Sequence, residues 1–236
     1  MSAALQGDSA IRGTTSLTVS GLGVNIVMGT DNLLTVTGIP ERYQMAWGVS
    51  VTDSNGSPVS GKAVTISLRG IRFFKGLWQP RGELWLQEVA DACVAEDTNN
   101  NGNIDVGEPG DIDVDGVYEP NGAAAVMASR DGAGGSQVVV TTNAAGHATF
   151  YLDYYKSFGS WVEIELKAAT TVIGKNSSYT PTPFTLGVLA SEVKKLDAEP
   201  AYSGLRRTDG LPDAPKRTDL IQFGVSPRCY KMRCDP

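Results

Sequence analysis

The sequence predicts an all-β protein, an antiparallel β-sandwich. Three observations carry that expectation: short stretches alternate apolar and polar residues, turn signals separate them, and helical periodicity is nearly missing. A period of two puts alternate side chains on opposite faces of a strand, so each stretch has one face to bury and one to wet. Six or more such strands favour two packed antiparallel sheets over a parallel sheet, whose strands are apolar on both faces.

In chain order, segments 17–27 and 33–39 read as weaker strands. Residues 43–52, YQMAWGVSVT, place Tyr43, Met45, Trp47, Val49 and Val51 on one face. Val64, Ile66 and Leu68 repeat the pattern, as do Ala148, Phe150, Leu152 and Tyr154. In 162–168, Val162, Ile164, Leu166 and Ala168 alternate with Glu163, Glu165 and Lys167. DSNG at 53–56, NAAG at 143–146 and SFGS at 157–160 are turn signals. The single helix expected is short, GVLASEVKKL at 187–196, and no internal repeat is visible.

Composition agrees. An apolar share of 41% over 236 residues supports a real core and excludes a disordered chain. No apolar run reaches the length of a membrane span, which excludes membrane insertion by a helix. The first residues, MSAALQGDSAIRG, lack the basic start and apolar centre of a signal peptide. The expectation is a cytoplasmic chain, or a mature or trimmed piece of a longer one. Charge is uneven: 91–121 holds nine acids and no Lys or Arg, which leaves the remainder at +3 against a total of −6. Such a local excess points to a site more than to a solubility device. It also argues against nucleic acid as a partner, because phosphate contacts need a basic stripe.

Three separated segments carry a resemblance. VTDSNGSPVSGKAVTISL at 51–68, then VTTNAAGHATFYL at 140–152 and WVEIELKA at 161–168, resemble the bacterial immunoglobulin-like group 1 module of invasin- and intimin-type adhesins. The family pattern falls on Val51, Asp53, Gly56, Pro58, Val59, Gly61 and Val64, then on Thr142, Gly146, Ala148 and Leu152. The resemblance covers roughly residues 15–170 and implies an Ig-like sandwich over 1–174. Where a family repeat passes from the first segment to the second in some 20 residues, this chain uses about 70. An insertion of about 70–139 is therefore expected, followed by a C-terminal extension over 175–236. The insertion opens with an aromatic stretch, GIRFFKGLWQPRGELWLQ at 70–87, and continues into acidic loops at 97–122. So long a segment rarely stays structureless inside a domain.

The stretch EDTNNNGNIDVGEPGDIDVDG, 96–116, fits the twelve-residue calcium-loop frame. Asp97, Asn99, Asn101, Asn103, Asp105 and Glu108 fall on positions 1, 3, 5, 7, 9 and 12, Gly102 on position 6 and Ile104 on position 8. Oxygen ligands at alternate positions curl a chain round a hard cation; position 7 ligates through its carbonyl and Glu108 can bind bidentately. Magnesium fits less well, since it retains its waters and prefers fewer, octahedral ligands. A second frame starts at Asp111 with Asp113, Asp115 and Gly116, and puts Glu119 on position 9, but Gly122 stands where the bidentate glutamate belongs. The loops are similar to those of EF-hands and dockerin-type repeats without the flanking helices, so the expected Ca2+ is structural. It would offset repulsion among close carboxylates.

Cys93 precedes the first loop, and Cys229 and Cys234 end the chain in CYKMRC. The pattern does not fit zinc. A disulfide could be Cys229–Cys234 or join Cys93 to either; three free thiols in a reducing compartment is the alternative. The extension is rich in proline and paired bases and alternates little. It reads as an ordered wrap over the sandwich, a contact arm or a linker.

Catalysis has thin support. His147, the only histidine, alternates outward from Ala148 and Phe150, and no G-x-S-x-G elbow occurs. The expected function is a non-enzymatic, calcium-stabilised module of a bacterial surface or secreted adhesin-type protein. Its location would be extracellular or at the cell surface, and its partners other modules, subunits of the same assembly or a surface receptor. Alternatives are a structural or accessory subunit of an extracellular filament, pilus or virion, and a carbohydrate-binding module. Trp78 and Trp85 are the candidate partner contacts, with Phe73 and Phe74 beside them.

Overall fold

The computed structural model describes residues 2–5, 8–14, 23–38, 41–111, 118–172, 175–194 and 200. Its elements are β1 (Ser2–Leu5), β2 (Asp8–Thr14), β3 (Asn25–Val36), β4 (Arg42–Thr52), β5 (Ala63–Arg81), β6 (Leu84–Val94), β7 (Ala124–Met127), β8 (Gly134–Gly135), β9 (Gln137–Thr141), β10 (His147–Tyr155), β11 (Val162–Val172), β12 (Lys175–Tyr179), β13 (Phe184–Thr185) and the one-turn helix α1 (Ala190–Val193). No helix among the described residues is long and apolar enough to cross a membrane.

Apart from a small β1–β2 hairpin, the strands form two antiparallel sheets. One has the order β3-β4-β10-β7-β8; the other has the order β12-β11-β5-β6, with β13 paired to β11 and β9 to β5. The alternating residues meet between them as one core. Trp47, Val49 and Val51 of β4, Phe150 and Leu152 of β10 and Val126 of β7 face Val64, Ile66 and Leu68 of β5 and Ile164, Leu166 and Ala168 of β11. At roughly 1.5–3 kcal/mol per fully buried large apolar side chain, this cluster is the main source of stability. The all-β sandwich expected from the period-two pattern is the architecture found.

The two distant segments at 51–64 and 140–152 meet at one end of the sandwich. Asp53 Oδ1 accepts the N–H of Asn55 and of Ser57, closing the turn that Gly56 completes at φ +81°. Val51 N donates to Gly146 O at 2.8 Å. The Thr142 hydroxyl donates to Val59 O and accepts Lys62 N–H. A Cβ on Gly146, at φ +74°, would stand 2.6 Å from Val51 O and 3.0 Å from Pro58 Cβ, so both space and conformation require glycine there.

Four expectations need correction. The described parts of the weak segments 17–27 and 33–39 belong to one strand, β3, over 25–36, and 15–22 lies outside the described residues. Among the described residues of the helix expected over 187–196, only a single turn, Ala190–Val193, is helical. The chain does not leave the sheet at residue 70, because β5 runs unbroken to Arg81. An extra residue, Ile71, lies opposite the Glu163–Ile164 step and shifts the inward phase from even to odd numbers. Val64, Ile66 and Leu68 point inward before this bulge, and Phe73 and Lys75 after it. Finally, the extension does not begin at 175. β12 and β13 both pair with β11, and prolines 181 and 183 lie between them, where no ladder hydrogen bond is required.

Candidate metal-binding loop

The acidic segment joins β6 to β7 and is anchored at a stem. Ala95 N donates to Ile71 O at 3.0 Å and Glu96 N to Glu119 O at 2.9 Å. Glu119 N in turn donates to a carboxylate oxygen of Glu96 at 3.1 Å. Next to this stem Pro120 lies against β5. A Cβ on Gly70 would stand 2.1 Å from Pro120 Cγ, so the ring packs where only glycine leaves room.

From the stem the chain turns round Asp97, 1% exposed. Its Oδ1 accepts Asn101 N–H at 3.1 Å, and its Oδ2 accepts Gly102 N–H at 2.6 Å and the Asn121 side-chain amide at 2.7 Å. Burial raises the Asp97 carboxyl. The donors from Gly102, Asn121, Asn101 and Asn100 together outweigh it and hold the group below the usual carboxylate range. Gly102 adopts φ +83°, and Asn100 adopts φ +58°. The carboxylate at position 1 of the twelve-residue frame is thus held by the N–H groups of positions 5 and 6.

The remaining side chains close the ring. Asp105 Oδ2 accepts the amide groups of Asn99 and Asn101, each at 2.8 Å. Rotating either amide exchanges its donor for its oxygen. The same three side chains can therefore present oxygens about 3 Å apart, the spacing expected for neighbours on a cation with Ca–O distances of roughly 2.3–2.6 Å. Glu108 folds back over the loop: Oε1 accepts the Thr98 hydroxyl at 2.8 Å and Asn99 N–H at 3.1 Å, and Oε2 accepts Asp105 N–H at 2.8 Å. The Asp105 N–H and Thr98 hydroxyl lower the Glu108 carboxyl most; slight burial and the Asp97 charge oppose them. Ile104, the hydrophobic anchor of the frame, is half-buried with Cγ2 near Gly110.

Among the described residues, no three His, Cys, Asp or Glu side chains converge on one point as a metal centre. The side chains that do meet are one carboxylate, Asp105, and two amides, Asn99 and Asn101. Mixed oxygen sets of this kind suit calcium. Asn103 holds its position-7 place through its N–H, which donates to Asn101 Oδ1 at 2.8 Å. Asp111 ends the first described part of the segment, while Asp113 and Asp115 lie outside the described residues. Glu119 is 5% exposed beside Glu96 in the stem rather than in the ring of the first loop.

Sequence reasoning missed Asn121 and Thr98. Asn121 falls on position 11 of the second frame, a slot without a ligand role, so no spacing singled it out. Of the candidate contacts, Trp78 is corrected to a core residue: it is 5% exposed and packs edge-on against Trp161 at 5.7 Å between ring centroids. A register shift between Lys75 and Gly76 precedes it, and beyond that shift Gly76 and Trp78 are the buried residues of β5. Trp85 is partly buried and packs against the same core. Phe73 is buried and Phe74 partly so. His147 Nδ1 lies 2.6 Å from Ser50 Oγ as an exposed cross-strand pair. Cys93 is buried at the end of β6. Cys229 and Cys234 lie outside the described residues.

Comparison with known proteins finds no family model that matches this chain. No curated protein matches it significantly by sequence.

Proposed function

We propose that this chain is a non-enzymatic, calcium-stabilised Ig-like module of a bacterial cell-surface or secreted adhesin-type protein. The observation that carries the reading is the closed geometry of 97–108. Position 1 accepts the N–H groups of positions 5 and 6, while the side chains at 3, 5 and 9 meet at hydrogen-bond distance. Asp97, Asn99, Asn101, Asp105 and Glu108 would hold Ca2+, with the carbonyl of Asn103. The bound ion supplies the counter-charge that this base-free segment lacks. The adhesin-type reading draws on the resemblance of 51–68, 140–152 and 161–168 and on the way those segments meet in space.

The test is thermal unfolding in chelator and in millimolar calcium, with magnesium as control. Binding to the native state alone contributes about 2.7 kcal/mol at a hundredfold excess over Kd. For a domain of this size that raises Tm by about 5–10 °C. An unchanged Tm rejects the calcium reading.

A second reading is a structural or accessory subunit of an extracellular filament, pilus or virion. It draws on the apolar side chains exposed along β6, and the mass of the native particle separates the two. The carbohydrate-binding reading has less support, because Trp78 belongs to the core.

A further inference from the structure

The outer side of the β5–β6 hairpin is unusually apolar for a sheet margin. Among the described residues β6 has one ladder partner, β5, so its other edge faces outward. Leu84, Leu86, Val89 and Val94 on this strand are each between 36% and 54% exposed. An edge strand with such side chains is a template for pairing, and proteins normally blunt or cover it. The aromatic stretch that seemed to offer Trp78 and Trp85 to a partner therefore offers these aliphatic residues instead.

We propose that the chain's own C-terminal segment, 221–234, covers this edge, held by a disulfide between Cys93 and one of the two tail cysteines. Four observations converge. First, Cys93 sits buried on β6 and is not without a partner, and the only other cysteines in the sequence are Cys229 and Cys234. Second, the described chain heads the right way: α1 lies beside β6, and the chain beyond it is long enough to return. Third, the tail contains one short alternating stretch, IQFGV, with Ile221, Phe223 and Val225 at every second position. At about 3.3 Å per residue, the path from Ile221 to Cys229 matches the path from Trp85 to Cys93, roughly 26 Å each. In that register a segment running parallel to β6 sets Ile221, Phe223 and Val225 level with Trp85, Gln87 and Val89. Fourth, charge is complementary. Residues 216–234 carry Lys216, Arg217, Arg228, Lys231 and Arg233 against Asp219 alone, whereas 91–121 carries nine acids and no base. Cys93 stands at the start of that acidic stretch, so the bases flanking the tail cysteines would be drawn to it.

The bond forms by exchange. The two thiols lose two protons and two electrons to a disulfide oxidant, small-molecule or protein, which leaves as two thiols. This places folding of the full chain in an oxidising compartment.

The experiment uses the full chain, isolated without reductant. Peptide mapping by mass spectrometry reads the cysteine pairing, and native mass reads the number of chains. Hydrogen exchange then compares the wild type with the double variant Ile221→Asp, Phe223→Asp. The expected result is a monomer with Cys93 joined to Cys229 or Cys234. The β6 amides that do not point at β5 should exchange at least tenfold faster in the variant, with β4 and β10 unchanged. A Cys229–Cys234 bond, a Cys93 bond that joins two chains, or equal β6 exchange in the two proteins overturns the proposal. The mapping needs no variant, so it decides even if the double substitution does not fold. Calcium enters none of the three readouts, so failure here is distinct from failure of the metal site.

Discussion

The side-chain amide of Asn121 donates to Asp97 Oδ2 at 2.7 Å, joining two residues 24 positions apart in the sequence. This bond links the far end of the acidic segment to the first residue of the calcium frame. Among the donors described on that carboxylate it comes from outside the loop, whereas Gly102, Asn101 and Asn100 lie within it. Asn121→Ala is expected to cost about 1.5–3 kcal/mol of stability, since it strips a partner from a buried ionised group. It should weaken calcium binding as well. Denaturant unfolding with and without calcium checks both.

Glu108 and Glu119 should behave differently. Glu108 covers the loop and occupies the position that binds bidentately, whereas Glu119 is buried in the stem beside Glu96. Glu108→Ala is expected to weaken calcium strongly and alter the calcium-free protein little. For Glu119→Ala the expectation is reversed. Calorimetric titration together with unfolding in chelator reads the contrast, and equal losses of affinity would mean that both glutamates serve one cluster.

Acid should loosen the loop in a defined direction. Both Asp97 and Glu108 are held below their ordinary values, which lie near 3.9 and 4.3 for Asp and Glu. On acidification the unfolded chain therefore takes up these protons first. The stability the two groups contribute is fully present above those ordinary values and is lost as pH falls below about 4, through the folded-state values. Asp97→Asn should flatten this part of the stability profile, as measured by unfolding midpoints between pH 2 and 6 in chelator.

Trp78→Ala is expected to destabilise by about 3–5 kcal/mol, because the ring is buried against Trp161 and truncation leaves a cavity. If Trp78 were instead a surface contact, the change would be near zero in the isolated chain. Thermal unfolding distinguishes the two.

The strands with unbroken alternation were legible at once. Tyr43 to Val51, Phe150 to Tyr154 and Val162 to Ala168 keep one phase, and their buried faces are those the pattern assigned. β5 was read only as far as Leu68, because the bulge at Ile71 reverses its phase and a strict period of two ends there. The sequence beyond it then looks like an insertion, and its tryptophans look available. In the loop, the spacing of Asp97, Asn99, Asn101 and Asp105 was visible because those contacts lie within twelve residues. The contacts that tie the loop to the sandwich were not visible. Asn121 on Asp97 and Pro120 against Gly70 depend on where the chain returns, and no local spacing records that.

The length of β5 has a mechanical consequence. Its 19 residues form a continuous strand about 60 Å long. The first part is laddered to β11 on one side and β9 on the other, and the last part to β6. Tension applied at the Arg81–Leu84 tip along the strand axis is carried by a single stretch of backbone into the middle of a sheet. To yield, β5 must slide past β11 and β9 together, which loads their hydrogen bonds in parallel instead of opening them one by one. The hairpin is therefore a stiff lever on the sandwich. The acidic loop, pinned to it at Ile71 by Ala95 and at Gly70 by Pro120, sits close to where that lever enters the body.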